Sequence, residues 1–579
     1  EMYSPLGNMS AQGIKRLLGT PTIDQLQTVI REAVQNSWDA AAGRKTPLFI
    51  VHLRKLSDRE MVVMKETVFG DYVVEGGDDC LSDFLEQRNP WVLELSDVGT
   101  SGLGGPTDAS VITQEDDDSD FVDFVRNIGT PRDTVYGGGT YGYGKSSLYS
   151  LSRCGTIVID SLTQYNKRDE RRVIGCRIAS SFSLERGRNR GKYTGRHWWG
   201  KRDRSGKGLD PVTGRSAASI SRKVGALERA DGDYGTSIII LDPVMEAGPH
   251  DVINAIQRSL LWNFWPKMVK YPRKGPAMKF RVILNEEEQS LPDLTDCPPL
   301  DIFADAMLKL KSEGGIPIDC QRPRKSLGSM TIIKAPKGSR LPGFGPADDG
   351  MFPESSRHVA LMRPAELVVK YLEGNLLPPS AEWGGLFICS DEYEVEHAFA
   401  MAEPPAHDDW IPSSLPRGRS KTYVRVALRN IGNEMEQAVS STQINVEGGN
   451  AELAKLSSRM GSLLNGALGD GISEDRAPTR KRKGRNIRKS HKITNLEGFG
   501  PAEWNDGEVL AWFTFSVESP DPKDIKISGS SRVYIDGELS DEAPDGSRPK
   551  IRVWADKNEN FLAEGDTLEV NTKNAELIW

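Results

Sequence analysis

The stretch Gly137-Gly138-Gly139-Thr140-Tyr141-Gly142-Tyr143-Gly144-Lys145-Ser146-Ser147 constrains this chain more than any other. Residues without side chains let consecutive backbone N–H groups crowd around phosphate oxygens. A helix starting near Lys145 would turn its positive dipole end toward the same anion. Gly139 to Ser146 also satisfies G-x-x-x-x-G-K-[ST], the P-loop pattern. The flanks argue against a P-loop. Such a loop follows directly on a buried strand, whereas residues 129–136 are polar and include Pro131. The apolar stretch ending in Asp160 comes after only one short helix. That spacing suits neighbouring antiparallel strands better than a doubly wound parallel sheet.

Three further motifs fit a different nucleotide fold. The spacing of Leu26, Val29, Ile30 and Ala33 predicts a helix over 22–42, closed by Gly43. It carries Glu32-Ala33-Val34-Gln35-Asn36-Ser37-Trp38-Asp39-Ala40, in which Glu32, Asn36 and Asp39 share one face. Polar stripes usually face solvent, but Ala33, Val34, Trp38 and Ala40 make this helix apolar on its other sides, so the stripe is expected to face a ligand. The Asn36 amide oxygen suits Mg²⁺, which takes few protein ligands beside phosphates and waters. Glu32, one turn earlier, is placed to polarise an attacking water. The second motif, Leu93-Glu94-Leu95-Ser96-Asp97-Val98-Gly99-Thr100-Ser101-Gly102-Leu103, ends a strand in a carboxylate that can accept from an adenine amino group. The third, Asp233-Tyr234-Gly235-Thr236-Ser237-Ile238-Ile239, opens an apolar strand with a hydroxyl able to complete that contact.

In this order the four motifs resemble those of the GHKL ATPase superfamily: gyrase B, the ninety-kilodalton heat-shock chaperone, histidine kinases, MutL and MORC. The resemblance covers about residues 20–270, and E-x-x-x-N-x-x-D-A is the first-helix box of the chaperone, MutL and MORC branch. It implies a Bergerat α/β sandwich that binds ATP and Mg²⁺ and hydrolyses ATP. By the same resemblance Glu32 is the general base and Asn36 the Mg²⁺ ligand, with Asp39 on the same helix face. Asp97 reads adenine alongside Gly99, Gly102 and Thr236, and Gly139, Gly142, Gly144, Lys145 and Ser146 cradle phosphate. One departure is visible. The family writes D-x-G-x-G, whereas Gly99 and Gly102 lie one residue further apart.

In the mechanoenzyme branch a transducer domain follows and returns a basic residue to the γ-phosphate. The segment His358-Val359-Ala360-Leu361-Met362-Arg363 looks like a transducer strand. Glu403-Pro404-Pro405-Ala406-His407-Asp408-Asp409-Trp410 is similar to the MORC loop that carries the sensor lysine. That lysine is absent here, leaving His407, Arg417 and Lys421 as substitutes; the bland alternative is a proline-rich surface turn. Such enzymes close as ATP-dependent homodimers, with N-terminal segments crossing between protomers.

Strands are expected at 48–53, 61–68, 91–95, 155–161, 172–181 and 236–242, the last three in one antiparallel sheet, with a loop-like 99–144 and a helix over 252–269. A second mixed region brings strands at 279–284, 329–334, 358–363 and 385–389. The expected architecture is α+β. An arm over 1–20 precedes the GHKL ATPase domain over 21–270 and a transducer-like α/β domain over 271–429. A helical connector over 430–470, a basic linker over 471–492 and an all-β, sandwich-like domain over 493–579 follow.

A net charge of -8 rules out a uniformly basic nucleic-acid coat, but two stretches break with that average. Residues 186–207 carry nine Lys/Arg against one Asp, interleaved with Tyr193, Trp198 and Trp199. Residues 480–492 carry eight and no acid, and Arg480, Lys481, Arg482, Lys483, Arg485, Arg488 and Lys489 are candidate nucleic-acid contacts. The bland reading gives a solvated hairpin, with both tryptophans packed beneath it, and a linker. The six cysteines are scattered without CxxC pairs, and the seven histidines lack ligand spacing, which points to reduced thiols, no zinc site and a cytoplasmic location. No apolar run approaches membrane-span length. The expected function is an ATP-hydrolysing clamp acting on DNA, with partner proteins, in a bacterial defence, restriction or repair system, including antiviral defence. Its rival is a chaperone-like clamp acting on protein clients.

Overall fold

The computed structural model describes residues 2–3, 25–41, 43, 45–70, 80–111, 118–127, 143–184, 190–202, 208–245, 247–272, 274–346, 350–404 and 407–440, with short strands between 492 and 571. The chain divides into two compact units, Glu1–Glu447 and Gly448–Trp579. The architecture is mixed α+β with several sheets.

The first unit is organised on a nine-stranded sheet: β1 (Leu48–Lys55), β2 (Trp91–Val98), β3 (Thr156–Tyr165), β4 (Arg168–Ile178), β5 (Arg196–Trp199), β6 (Val212–Thr213), β7 (Gly235–Leu241), β8 (Lys279–Leu284) and β9 (Glu287–Gln289). Its order is β6-β4-β3-β7-β2-β1-β8-β9, with β5 also paired to β4. Every pairing is antiparallel except β1 with β8. Alternation along the central strands sends side chains to opposite faces. Ile157, Ile159, Ile238 and Ile240 enter one core, and Val158, Ile239 and Leu241 enter another. The first core is covered by α1 (Gln25–Asp39), α2 (Tyr143–Leu151) and α3 (Pro249–Met268). The second lies under Met61, Met64, Phe84, Ala217 and their neighbours. Each fully buried Ile or Val contributes about 1.5–3 kcal/mol relative to exposure.

Three sequence expectations are corrected. Residues 61–68 are helical, not a strand, because Ser57 and Glu60 form a reciprocal capping box that starts Asp58–Val63 and runs on into Met64–Val68. The expected loop over 99–144 contains a helical turn, Val122–Arg126, whose Phe124 and Val125 join the first core. The strand at 279–284 belongs to the first sheet, where its parallel partner is β1.

The second sheet has β10 (Ile316–Gln321), β11 (Arg324–Pro336), β12 (Arg357–Met362), β13 (Val368–Glu373) and β14 (Ala381–Cys389) in the order β10-β11-β14-β12-β13. Helices Tyr393–Ala402 and Arg419–Ser440 cover one face, and helix Leu300–Glu313 covers the other. Helix α3 is shared. Its Ile253, Ile256, Leu260 and Phe264 pack in the first core, whereas Leu261, Trp262 and Trp265 pack in the core that the second sheet shares with helix Leu300–Glu313. Twenty residues make it about 30 Å long, enough to reach both sheets.

The second unit is described as paired strands, among them Lys492–Glu497 with Thr514–Glu518 and Asp524–Ser528 with Thr567–Asn571. Buried Trp554 donates its Nε1 hydrogen to Gly565 O at 2.6 Å. Residues 441–491 lie outside the described residues, including most of the expected connector and linker. No helix among the described residues is long and apolar enough to cross a membrane.

Candidate functional site

A cleft of about 610 Å³, open to solvent, lies between α1 and the sheet. Helix α1 lines it with Glu32, Ala33, Asn36, Ser37 and Ala40, and the strands contribute Phe49, Leu95, Asp97, Thr236 and Ile238. Thr100, Gly102 and Leu103 come from the loop after β2, with Phe124 and Leu148 closing the apolar wall. Residues more than two hundred positions apart thus meet in one concavity that is apolar at its walls and polar at few points, as small-molecule sites commonly are.

Asp97 follows the buried run of β2, Val92 to Ser96, and three donors fix its carboxylate. Oδ1 accepts from the Thr100 hydroxyl at 2.6 Å and from the Thr236 backbone N–H at 3.0 Å. Oδ2 accepts from the Ser37 hydroxyl at 3.0 Å. A carboxylate has about four acceptor positions, so Oδ2 retains capacity for a further donor from a ligand. Behind it the Arg229 guanidinium donates to Asp97 O at 2.6 Å and to Ser237 Oγ at 3.0 Å. Burial lowers the Arg229 pKa, opposed by the charges of Asp97 and Asp160. Thr236 serves Asp97 through its backbone, while its hydroxyl pairs with the Ser161 hydroxyl at 3.0 Å.

The glycines after Asp97 are accounted for by backbone geometry. Gly102 has φ +68° and packs so closely that an added Cβ would lie 2.3 Å from Leu162 O. Gly99, at φ +86°, donates its N–H to Tyr234 O at 3.0 Å and is not among the cleft-lining residues.

Glu32 lines the cleft on the second turn of α1. Burial raises its carboxyl above the usual 4.5, with Asp39 adding to the rise and the charges of His407 and Arg31 opposing it. Asp39, the last residue of α1, therefore acts on Glu32 at a distance and does not line the cleft. Asn36 lies one turn beyond Glu32 on the same wall. Among the described residues no three His, Cys, Asp or Glu side chains form a metal cluster.

Ser146 is buried on α2, the helix whose Leu148 reaches the cleft. Gly144 and Lys145 lie in the first turn of that helix. Gly139 and Gly142 lie outside the described residues, as do Arg480, Lys481, Arg482, Lys483, Arg485, Arg488 and Lys489.

Of the three expected sensor residues, His407 is the one whose charge acts on Glu32. It is buried, has φ +50°, and bonds through Nδ1 to Glu403 Oε2 at 2.8 Å. Arg417 is exposed on a turn, and Lys421 donates to Leu415 O at 3.2 Å. Asp160, the acid of the rejected P-loop reading, is bonded by Arg171 at 2.8 and 2.6 Å and by Ser221 at 2.7 Å, and is not among the cleft-lining residues.

In the stretch 186–207 the Trp198 ring has the Arg126 and Arg196 guanidiniums 5.3 and 4.7 Å from its centre. Trp199 packs edge-on against Phe69 at 4.9 Å. Both tryptophans are engaged by the body of the protein. At the N-terminus Met2 bridges to Tyr193 of the same chain, and Tyr3 N–H donates to Lys192 O at 3.0 Å.

Sequence reasoning missed Ser37, Thr100, Arg229 and Arg31. Ser37 and Thr100 stand inside the quoted motifs, so their hydroxyls were the available signal. Arg229 and Arg31 gave none, because their partners are set by tertiary structure alone. No protein-family model matches the chain, and a search of curated proteins finds no significant match.

Proposed function

We propose that this chain is a GHKL-type ATPase, with a Bergerat-like first domain and a transducer-like second one, that binds ATP with Mg²⁺ and hydrolyses it. The observation that carries this reading is the convergence of Glu32, Asn36, Asp97 and Thr236 on one cleft. Asp97 is acceptor-only when ionised and is fixed by three protein donors, which suits recognition of an exocyclic amino group. The apolar side chains Phe49, Leu95, Leu103 and Ile238 suit a flat heterocycle.

Asn36, which lines the cleft wall one turn from Glu32, fits a Mg²⁺ ion that takes one protein oxygen and draws its remaining ligands from phosphates and water. When bound, the ion would neutralise phosphate charge. Glu32 accepts the proton of the attacking water, and the upward shift of its carboxyl brings its basicity closer to neutral pH, as general-base catalysis favours.

The task we infer is that of an ATP-dependent clamp acting on DNA. The test is ATP turnover and molecular mass by light scattering, with and without duplex DNA, using a non-hydrolysable analogue. Dimerisation with the analogue and turnover that responds to DNA support the reading. A monomer throughout refutes the clamp, and absence of turnover refutes the ATPase. Stimulation by unfolded protein with indifference to DNA would instead favour a protein-client clamp.

A further inference from the structure

Helix α1 separates two cavities. On one side it presents Glu32 and Asn36 to the cleft; on the other, Arg31 and Gln35 line a smaller cavity with Phe264, Val368, Glu403 and His407. The residue preceding the candidate base thus points away from it, into the second sheet's territory. The Arg31 guanidinium donates to Asn263 Oδ1 at 2.7 Å, to His407 O at 2.9 Å and to Val368 O at 3.3 Å. It spans three elements: α3, the first residue of β13, and the loop after helix Tyr393–Ala402. Asn263 is itself buried and held by its own amide donating to Ser259 O at 2.9 Å.

A second basic side chain acts on the last turn of the helix. Lys267 of α3 is buried, with its ammonium 3.4 Å from the centre of the Trp38 ring on α1 and bonded to Ala365 O at 2.5 Å. Ala365 lies on the short connection from β12 to β13, and Val368 opens β13 at its end. Arg31 and Lys267 therefore tie that connection and the start of β13 to the helix lining the cleft, one at its middle and one at its last turn.

The loop side is braced in turn. Arg363, at the start of the connection, pairs with Glu396 and, at 3.3 Å, with Glu403. Glu403 also accepts from Trp410 Nε1 at 3.2 Å and bonds His407. Any movement of α1 on ligand binding must break these bonds or carry both segments along, because packed interiors switch between discrete arrangements.

We propose that Arg31 is a positioning residue, fastening the turn that carries Glu32 to the β12–β13 connection and the His407 loop, with Lys267 as its counterpart, so that turnover depends on the seating of those segments. This rests on the ATPase reading above.

The test uses the full chain, with kcat and KM for ATP and calorimetric affinity for a non-hydrolysable analogue. Arg31→Gln is expected to lower kcat by about tenfold to a hundredfold, the scale of a misplaced catalytic group, with analogue affinity changed less than about twofold. Arg31→Lys, which keeps the charge and reaches fewer carbonyls, should recover part of the loss. Lys267→Met, which keeps the contact with Trp38 but not the bond to Ala365, should lower kcat in the same sense. If Arg31→Gln does not fold, Asn263→Ala, which removes one arm of the contact, is read in its place. An unaltered kcat in these variants overturns the proposal, as does loss of kcat and analogue affinity in equal proportion. A wild-type chain that binds no analogue overturns the ATPase reading and this one with it; an active wild type with an equally active Arg31→Gln overturns this one alone.

Discussion

Ser37 and Asp97, sixty positions apart, are joined by a hydrogen bond of 3.0 Å from the serine hydroxyl to Oδ2 of the carboxylate. It links the helix that carries Glu32 to the strand end that carries the candidate adenine reader. The same hydroxyl also lies 2.8 Å from Ala33 O, so its single proton is shared between its own helix and the carboxylate.

Ser37→Ala is therefore expected to leave the fold intact and weaken ATP binding. Losing a hydrogen bond to a charged group costs about 1.5–3 kcal/mol, which sets a ceiling of roughly a hundredfold in affinity, and about tenfold is the expected size. Asp97→Asn should cost more, since the amide offers one acceptor oxygen where the carboxylate offers two. Calorimetric titration with a non-hydrolysable analogue measures both, and unchanged affinity in Asp97→Asn would remove the nucleotide assignment.

Glu32→Gln should bind the analogue as the unaltered chain does and lose at least about a hundredfold in kcat. In the unaltered chain kcat should fall as pH drops through the raised pKa of Glu32, so the acid limb lies above 4.5. The charge of His407 opposes that rise, so His407→Gln should move the limb to higher pH. A pH–kcat profile decides the matter, and a limb that stays put would show that His407 does not act on the base.

Asp160→Asn distinguishes the two phosphate-loop readings. Asp160 is buried and bonded to Arg171 and Ser221, so the change should destabilise the fold by about 3 kcal/mol, the order found when one partner of a buried ion pair is removed. Turnover by the protein that remains folded should stay within about twofold of the unaltered chain. Urea unfolding and kcat are read together. Abolished turnover with unchanged stability would revive the P-loop.

Stability should climb from about pH 7 toward pH 9. Burial lowers Lys267 from 10.5 to about 7, with the charge of Lys311 adding to the fall and those of Glu366 and Asp39 opposing it. Between those values the unfolded chain binds a proton that the folded chain does not, so raising pH favours folding. Above about 9 the trend reverses, because buried thiols such as Cys176, pushed from 9.0 up to about 12, stay protonated only when folded. Lys267→Met should flatten the climb, as urea midpoints across that range would register.

What the sequence made legible was local. Trp91-Val92-Leu93-Glu94-Leu95 reads as a strand and is one, and the spacing of Leu26, Val29 and Ile30 reads as a helix and is one. Residues 61–68 read as a strand from their alternation, although Ser57-x-x-Glu60 just upstream is a helix-start signal in plain view. Strand β8 is legible as a strand, but its sheet is not, since its parallel partner β1 lies more than two hundred positions away. Glu32, Asn36 and Asp97 were visible as a spacing, whereas the bonds of Ser37 and Arg229 to Asp97 and the grip of Arg31 on two carbonyls exist only once the sheets are packed.

Helix α3 gives Phe264 to one core and Trp262 and Trp265 to the other. A fragment cut at residue 270 would therefore carry bare indoles where the second sheet's core should be, and would lack β8 beside β1. The first sheet is not a portable cassette. Heated intact, the region up to residue 447 should melt as one cooperative block, and shortened versions of the chain should keep both sheets together.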